Sequence, residues 1–128
     1  MTSAQRNQSD VLDHLIGGFD RALKTLTGGR TAQRENPAKQ IRDADLSVEE
    51  KRHVGGLMRV NHTGEICAQA LYEGQALTAK DPAAQRSLVE AAAEEHDHLS
   101  WCAQRLEELD AKPSILDPLF YGASFALG

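Results

Sequence analysis

Glu95 and His98 stand three residues apart within a run of Leu88, Ala91, Ala92, Glu95, His98, Leu99, Cys102, Leu106 and Leu109. Steps of three and four place all of these on one helix face, so two ionisable groups fall inside an apolar stripe. A buried carboxylate costs on the order of several kcal/mol unless something compensates it. A divalent metal held by Glu95 and His98 together is the compensation this spacing permits. Glu65, on an upstream stripe of Leu57, Met58, Asn61, Glu65, Ala68, Gln69 and Tyr72, is the lone carboxylate that would complete the group. A Glu on one helix and Glu-x-x-His on the next is half of the ligand set of carboxylate-bridged di-iron bundles. Hard oxygen donors hold two cations close together and leave positions open for dioxygen. The metal ligands expected are therefore Glu65, Glu95 and His98. A ligating imidazole needs a partner for its other nitrogen, and Asn61, Gln69 and Tyr72 are the candidates. Gly64, beside Glu65, is expected to let the helices approach closely.

A single Glu-x-x-His recurs by chance in many helices. Glu50 and His53 have the same spacing, yet Glu50 has a capping role and Lys51 and Arg52 intervene, so this pair reads as solvated. Glu94, His96 and Asp97 fall off the apolar stripe and read as a surface charge cluster. Cys67 and Cys102 read as small core residues, and Trp101 as a packing or interface residue.

The elements that must position these groups are helices. Leu12, Leu15, Ile16, Phe19, Leu23 and Leu26 mark an amphipathic helix over residues 9–26 that ends at Gly28 and Gly29. Residues 27–46 carry a proline and many charges and read as a linker. Ser47 with Glu50 forms a capping box, opening a helix that runs to about Lys80. Asp81 and Pro82 open the next, to about Asp110. Asp117 and Pro118 then cap a further helix. The expectation is an all-α, ferritin-like four-helix bundle in a single partial domain over residues 1–128. Its first two bundle helices and the start of a third would lie in 47–128, with the remainder supplied by further chain or by a second copy.

The chain has 128 residues, enough for one domain at most. Its formal charge of −5 and scattered Lys and Arg argue against nucleic-acid binding. Two distant cysteines give neither a disulfide framework nor a zinc knuckle, and fit a reducing cytoplasm. No secretory signal or spanning apolar run is read. The uncharged segment LFYGASFALG, with Leu119, Phe120, Tyr121 and Phe125, reads either as core or as a surface for a bilayer or a long apolar substrate.

The blocks RVNHTGEICAQALYEGQ, EEHDHLSWCAQRLEEL and KPSILDPLFYGASFALG, in this order, resemble the demethoxyubiquinol hydroxylase family of ubiquinone biosynthesis. The resemblance runs from about Val11 to Gly128. It implies a ferritin-like bundle with two iron ions that hydroxylates the ring of a polyprenylated quinol, using dioxygen, at the cytoplasmic face of the cell membrane. Its implied partners are the quinol, dioxygen, the membrane surface and other ubiquinone-biosynthesis proteins, with a homo-oligomer as a further option. By position, Glu65 and His98 would bind one iron and Glu95 would bridge both. The family's second Glu and Glu-x-x-His set has no counterpart in these residues, and Asp117 and Phe120 replace Asn and Trp of many relatives. The rival readings are a ferritin-like ferroxidase or peroxidase, and a non-catalytic helical lipid-binding or interaction module.

Overall fold

The structure, a computed structural model, describes residues 3–28 and 31–128. These residues form four helices and no strand: α1 (Ser3–Thr27), α2 (Val48–Thr78), α3 (Pro82–Glu108) and α4 (Asp117–Leu127). The all-helical class agrees with the sequence expectation. Each long helix begins where local chemistry directs. Ser47 accepts from the Glu50 amide at 3.2 Å while the Glu50 carboxylate accepts from the Ser47 amide at 2.8 Å, a reciprocal box. Asp81 caps α3 by accepting from Ala83 and Ala84, with Pro82 in the first turn. α1 starts earlier than its apolar periodicity suggests, and Gly28, at φ 67°, closes it in the left-handed conformation. Gly29 lies outside the described residues.

α2 is the central element. Residues 79–81 reverse the chain so that α3 runs antiparallel along α2, and α4 crosses α2 farther along. The core is Ile66, Ala70, Leu99 and Tyr121, with Ala22, Leu26 and Phe125 packed on it. The buried face of α2 is Gly55, His62, Ile66, Gln69, Ala70 and Gly74. This is rotated from the expected stripe, since Leu57 and Asn61 are exposed. The close approach expected at Gly64 is also elsewhere. A Cβ on Gly64 would meet nothing within 4 Å, whereas one on Gly74 would lie 2.4 Å from the Phe125 carbonyl oxygen.

α3 ends in a Schellman motif. Asp110 adopts φ 54°, its amide donates to the Glu107 carbonyl, and the Ala111 amide donates back to Leu106 at 2.8 Å. α4 departs from the cap the sequence implied. The residue before it, Leu116, makes no side-chain cap bond, and Asp117 turns inward instead. Its buried carboxylate accepts from the Thr63 hydroxyl at 2.7 Å and lies 3.3 Å from His62 Nδ1, without hydrogen-bond geometry. Burial holds the His62 pKa below its ordinary value, with Asp117 opposing, so His62 enters this contact as a neutral ring at pH 7. Asp117→Ala should therefore lower stability by about 2 kcal/mol, because the half-buried Thr63 hydroxyl loses its acceptor. Asp117→Asn keeps that acceptor and should cost less than half as much. Urea denaturation of both variants checks this, and equal midpoints for Asp117→Ala and wild type would show that the contact contributes nothing.

Candidate metal centre

Antiparallel packing of α2 on α3 brings together the three residues expected to ligate. One ligand atom each from Glu65, Glu95 and His98 lie within 4.8 Å of one another, the single such group among the described residues. His98 Nδ1 is 3.1 Å from Glu95 Oε2 and 3.8 Å from Glu65 Oε2. The side chains retain 26% (Glu65), 21% (Glu95) and 41% (His98) of their exposure, so the group is half-buried on an open flank rather than enclosed. Burial, and after it the hydrogen bond and charge of the Glu95 carboxyl, push the Glu65 pKa up to about 7. Without a cation, Glu65 thus keeps a proton up to about pH 7. A divalent metal would displace that proton and neutralise both charges, which is the sense in which the donor set fits one.

The sign of the pH dependence follows. Glu65 is held protonated in the folded chain above its unfolded value of 4.5, so its contribution to stability is full below pH 4.5 and lost as pH rises to about 7. The metal-free chain should melt at a lower temperature at pH 8 than at pH 5. Affinity for a divalent metal should move the other way, rising with pH through 7 as the competing proton leaves. Thermal melts and cobalt titrations at these pH values check both trends; a cobalt affinity independent of pH would contradict a competing proton on Glu65.

Three expectations about neighbouring residues need correction. First, Glu94 is exposed as expected, but His96 and Asp97 are buried, Asp97 to 2%. Asp97 is covered by the segment 31–46, which is irregular as expected yet strapped onto α3 rather than free. Asp97 accepts from the Gln33 amide at 2.7 Å, the Arg34 amide at 3.3 Å and Arg34 Nε at 2.8 Å. Farther along, both terminal nitrogens of the Arg105 guanidinium bond Asp43, at 2.6 and 2.8 Å. Second, the partners considered for His98 are dispersed: Asn61 is exposed, Tyr72 is half-buried, and the buried Gln69 amide donates to Glu73 at 3.0 Å. Third, the apolar segment in α4 divides. Leu119 (69% exposed) and Phe120 face outward, whereas Tyr121 is buried with its hydroxyl donating to Glu73 at 2.6 Å, and Phe125 stacks on it at 6.2 Å. Burial, and after it the bond to Glu73, raise the Tyr121 pKa.

The solvated reading of Glu50 and His53 agrees with the structure, whereas the two cysteines are less enclosed than the core positions expected of them. The Glu50 carboxylate is occupied by the cap and His53 is exposed. Cys67 and Cys102 are free and half-buried, and burial raises the Cys102 thiol pKa with Glu65's charge adding to it, so Cys102 is a neutral neighbour of the site. Sequence reasoning missed Arg34, His62 and Glu73 and misplaced Asp97; the contacts of Arg34 with Asp97, His62 with Asp117 and Glu73 with Tyr121 all arise from long-range packing. An apolar groove of about 740 Å³ runs between α1 and α4, lined by Leu15, Phe19, Ala22, Leu77, Tyr121 and Phe125 among others.

Fold and site together define an all-helical chain that presents a Glu and Glu-x-x-His cluster from two antiparallel helices. Residues 52–128 match the family described as ubiquinone biosynthesis protein COQ7, and the chain belongs to that family. It is 57% identical over 118 residues to a 3-demethoxyubiquinol 3-hydroxylase of Acinetobacter baumannii, covering 91% of this chain and 56% of that protein. A protein of the same name from Bordetella pertussis is 57% identical over 127 residues, covering 98% of this chain and 57% of its own. The Acinetobacter baylyi counterpart is 58% identical over 118 residues. The chain thus spans about half the length of the curated relatives it matches. No solved structure matches it significantly.

Proposed function

We propose that this chain forms half of a di-iron centre in a hydroxylase that acts on the ring of a polyprenylated demethoxyubiquinol. The observation that carries this reading is the convergence of Glu65, Glu95 and His98 within 4.8 Å, in a family whose relatives bear the hydroxylase name. Glu65 and His98 would hold one iron, and Glu95 would lie between the two. Bound iron would supply the electron transfer that activates dioxygen. Of its two oxygen atoms, one enters the ring and the other leaves as water, with two electrons and two protons from the quinol or an external donor. Six donors are expected for such a pair of ions, and the three further ones must come from a second Glu and Glu-x-x-His set. The chain alone should therefore bind ferrous iron weakly.

The substrate's tail is dissolved in lipid, and the chain has surfaces suited to meet it. Leu12, Leu15, Ile16 and Phe19 of α1 and Leu119 and Phe120 of α4 are exposed, while no helix among the described residues is long and apolar enough to cross a membrane. We read these as a peripheral contact with a bilayer. This face, beside the apolar groove, favours a quinol hydroxylase over a ferroxidase, which needs no apolar surface.

The test joins this chain to the remaining portion of the Bordetella pertussis relative, loads ferrous iron and supplies demethoxyubiquinol in liposomes. Isotope-labelled dioxygen should deliver one labelled atom to the ring. Ferrous oxidation without labelled product would favour the ferroxidase, and absence of metal binding would leave the helical interaction module.

A further inference from the structure

We infer that Asp97, Arg34 and Trp101 form a buttress that orients the His98 imidazole toward Glu65 and Glu95, making the strap before α2 a positioning element of the metal centre. This rests on the metal-site reading above. His98 is the most exposed of the three ligands, and its contact with Glu95 at 3.1 Å joins two groups that a metal would separate. Once an ion lies between them, something else must hold the ring. The neighbour in place is Trp101, one turn along α3, whose ring centroid lies 5.5 Å from that of His98 at an interplanar angle of 45°.

Trp101 is not fixed by its polar edge, because its Nε1 is buried without a hydrogen-bond partner. It is held through its face: the Arg34 guanidinium lies over the ring, 5.5 Å from the centroid. Arg34 is in turn anchored by Asp97, through Nε and its own backbone amide, with the Gln33 amide as a third donor. Asp97 lies in sequence between Glu95 and His98 but on another face of α3. Asp97 and Trp101, four residues apart, share a face of α3 that Arg34 covers, and the contacts run from the buried carboxylate through the strap to Trp101, which stands beside the ligand.

Removing the face-on cation or the ring should loosen His98 without dismantling α2 and α3. Partners behind metal-ligating residues typically change affinity about 10- to 100-fold. Cobalt alone serves as probe, with its visible absorption reporting the ligand field. Arg34→Ala and Trp101→Leu should each weaken cobalt binding about tenfold and alter the spectrum, while Trp101→Phe, which keeps a ring, should restore most of the affinity. Far-ultraviolet dichroism should show helix content unchanged. If the buttress acts through His98, Arg34→Ala should cause no further loss in a His98→Ala background, whereas general loosening would add its full loss there. Wild-type-like affinity and spectrum in Arg34→Ala and Trp101→Leu, with wild type binding cobalt, overturn the buttress. A wild-type chain that binds no cobalt overturns the metal-site reading itself and the buttress with it.

Discussion

Glu95→Ala is expected to reduce iron or cobalt affinity at least about 100-fold, the largest functional effect of any single substitution here, because a ligand removed outright costs more than a supporting partner. Glu95 is the donor common to the group. Its carboxylate contacts His98 on its own helix and, across the interface, helps to raise the Glu65 pKa. Without it, Glu65 and His98 remain as two donors on separate helices. The same substitution should have an opposite effect on the metal-free fold. Glu95's hydrogen bond and charge are, after burial, what raise the Glu65 pKa, so their removal lowers it and lessens the loss of stability between pH 5 and 8. A chain that loses metal yet melts higher at pH 8 would show a site whose carboxylates are kept close at a cost to the fold. Metal analysis after desalting and paired melts at the two pH values measure this. Iron retention equal to wild type would remove Glu95 from the ligand set.

What could be read from the sequence was local. The Ser47 and Glu50 box, the Asp81 and Pro82 start and the spacing of Glu95 and His98 each involve residues within one helical turn, where geometry follows from sequence separation. Glu65 was legible because a short turn between two long helices forces antiparallel packing. Asp97 was misplaced because its partners lie 63 and 64 residues away in a segment without hydrophobic periodicity. Nothing near Asp97 distinguishes it from the exposed Glu94. Asp117 was misread for a related reason: at a helix start, Asp is a cap by default, and only the packing of α4 on α2 directs it to Thr63, 54 residues back. The buried face of α2 was rotated from the expected stripe because it is chosen by small residues. Gly55 and Gly74 carry little hydropathy but leave room for the Ala111 side chain and the α4 backbone, and a pattern based on large apolar side chains passes over them. The apolar segment of α4 was legible as a whole but not in its division, since Tyr121 turns inward to a carboxylate, Glu73, that no local pattern marks.

Gly74→Ala should cause the largest loss of stability, about 3 kcal/mol, at the upper end of what overpacking costs. The added Cβ would lie 2.4 Å from the Phe125 carbonyl oxygen and 3.1 Å from the Gly128 carbonyl carbon. Both are backbone atoms, so no side chain can rotate out of the way. The contact is mutual, because a Cβ on Gly128 would come within 2.2 Å of the Leu71 carbonyl oxygen. Relief requires α4 to move off α2, which would expose Tyr121, break its bond to Glu73 and open the core around Ile66 and Ala70. Gly64→Ala is the matched control. Its Cβ meets nothing within 4 Å, and alanine in a helix interior is favoured over glycine by about 1 kcal/mol, so this variant should be more stable than wild type. Metal binding separates fold from site: Glu65, Glu95 and His98 belong to α2 and α3, so Gly74→Ala should melt roughly 10 °C lower while keeping cobalt affinity within about twofold at a temperature where it is folded. Equal melting temperatures for Gly74→Ala and wild type would mean that α4 does not lie against α2 as described, and a parallel loss of cobalt affinity would mean that α4 supports the metal centre as well as the core.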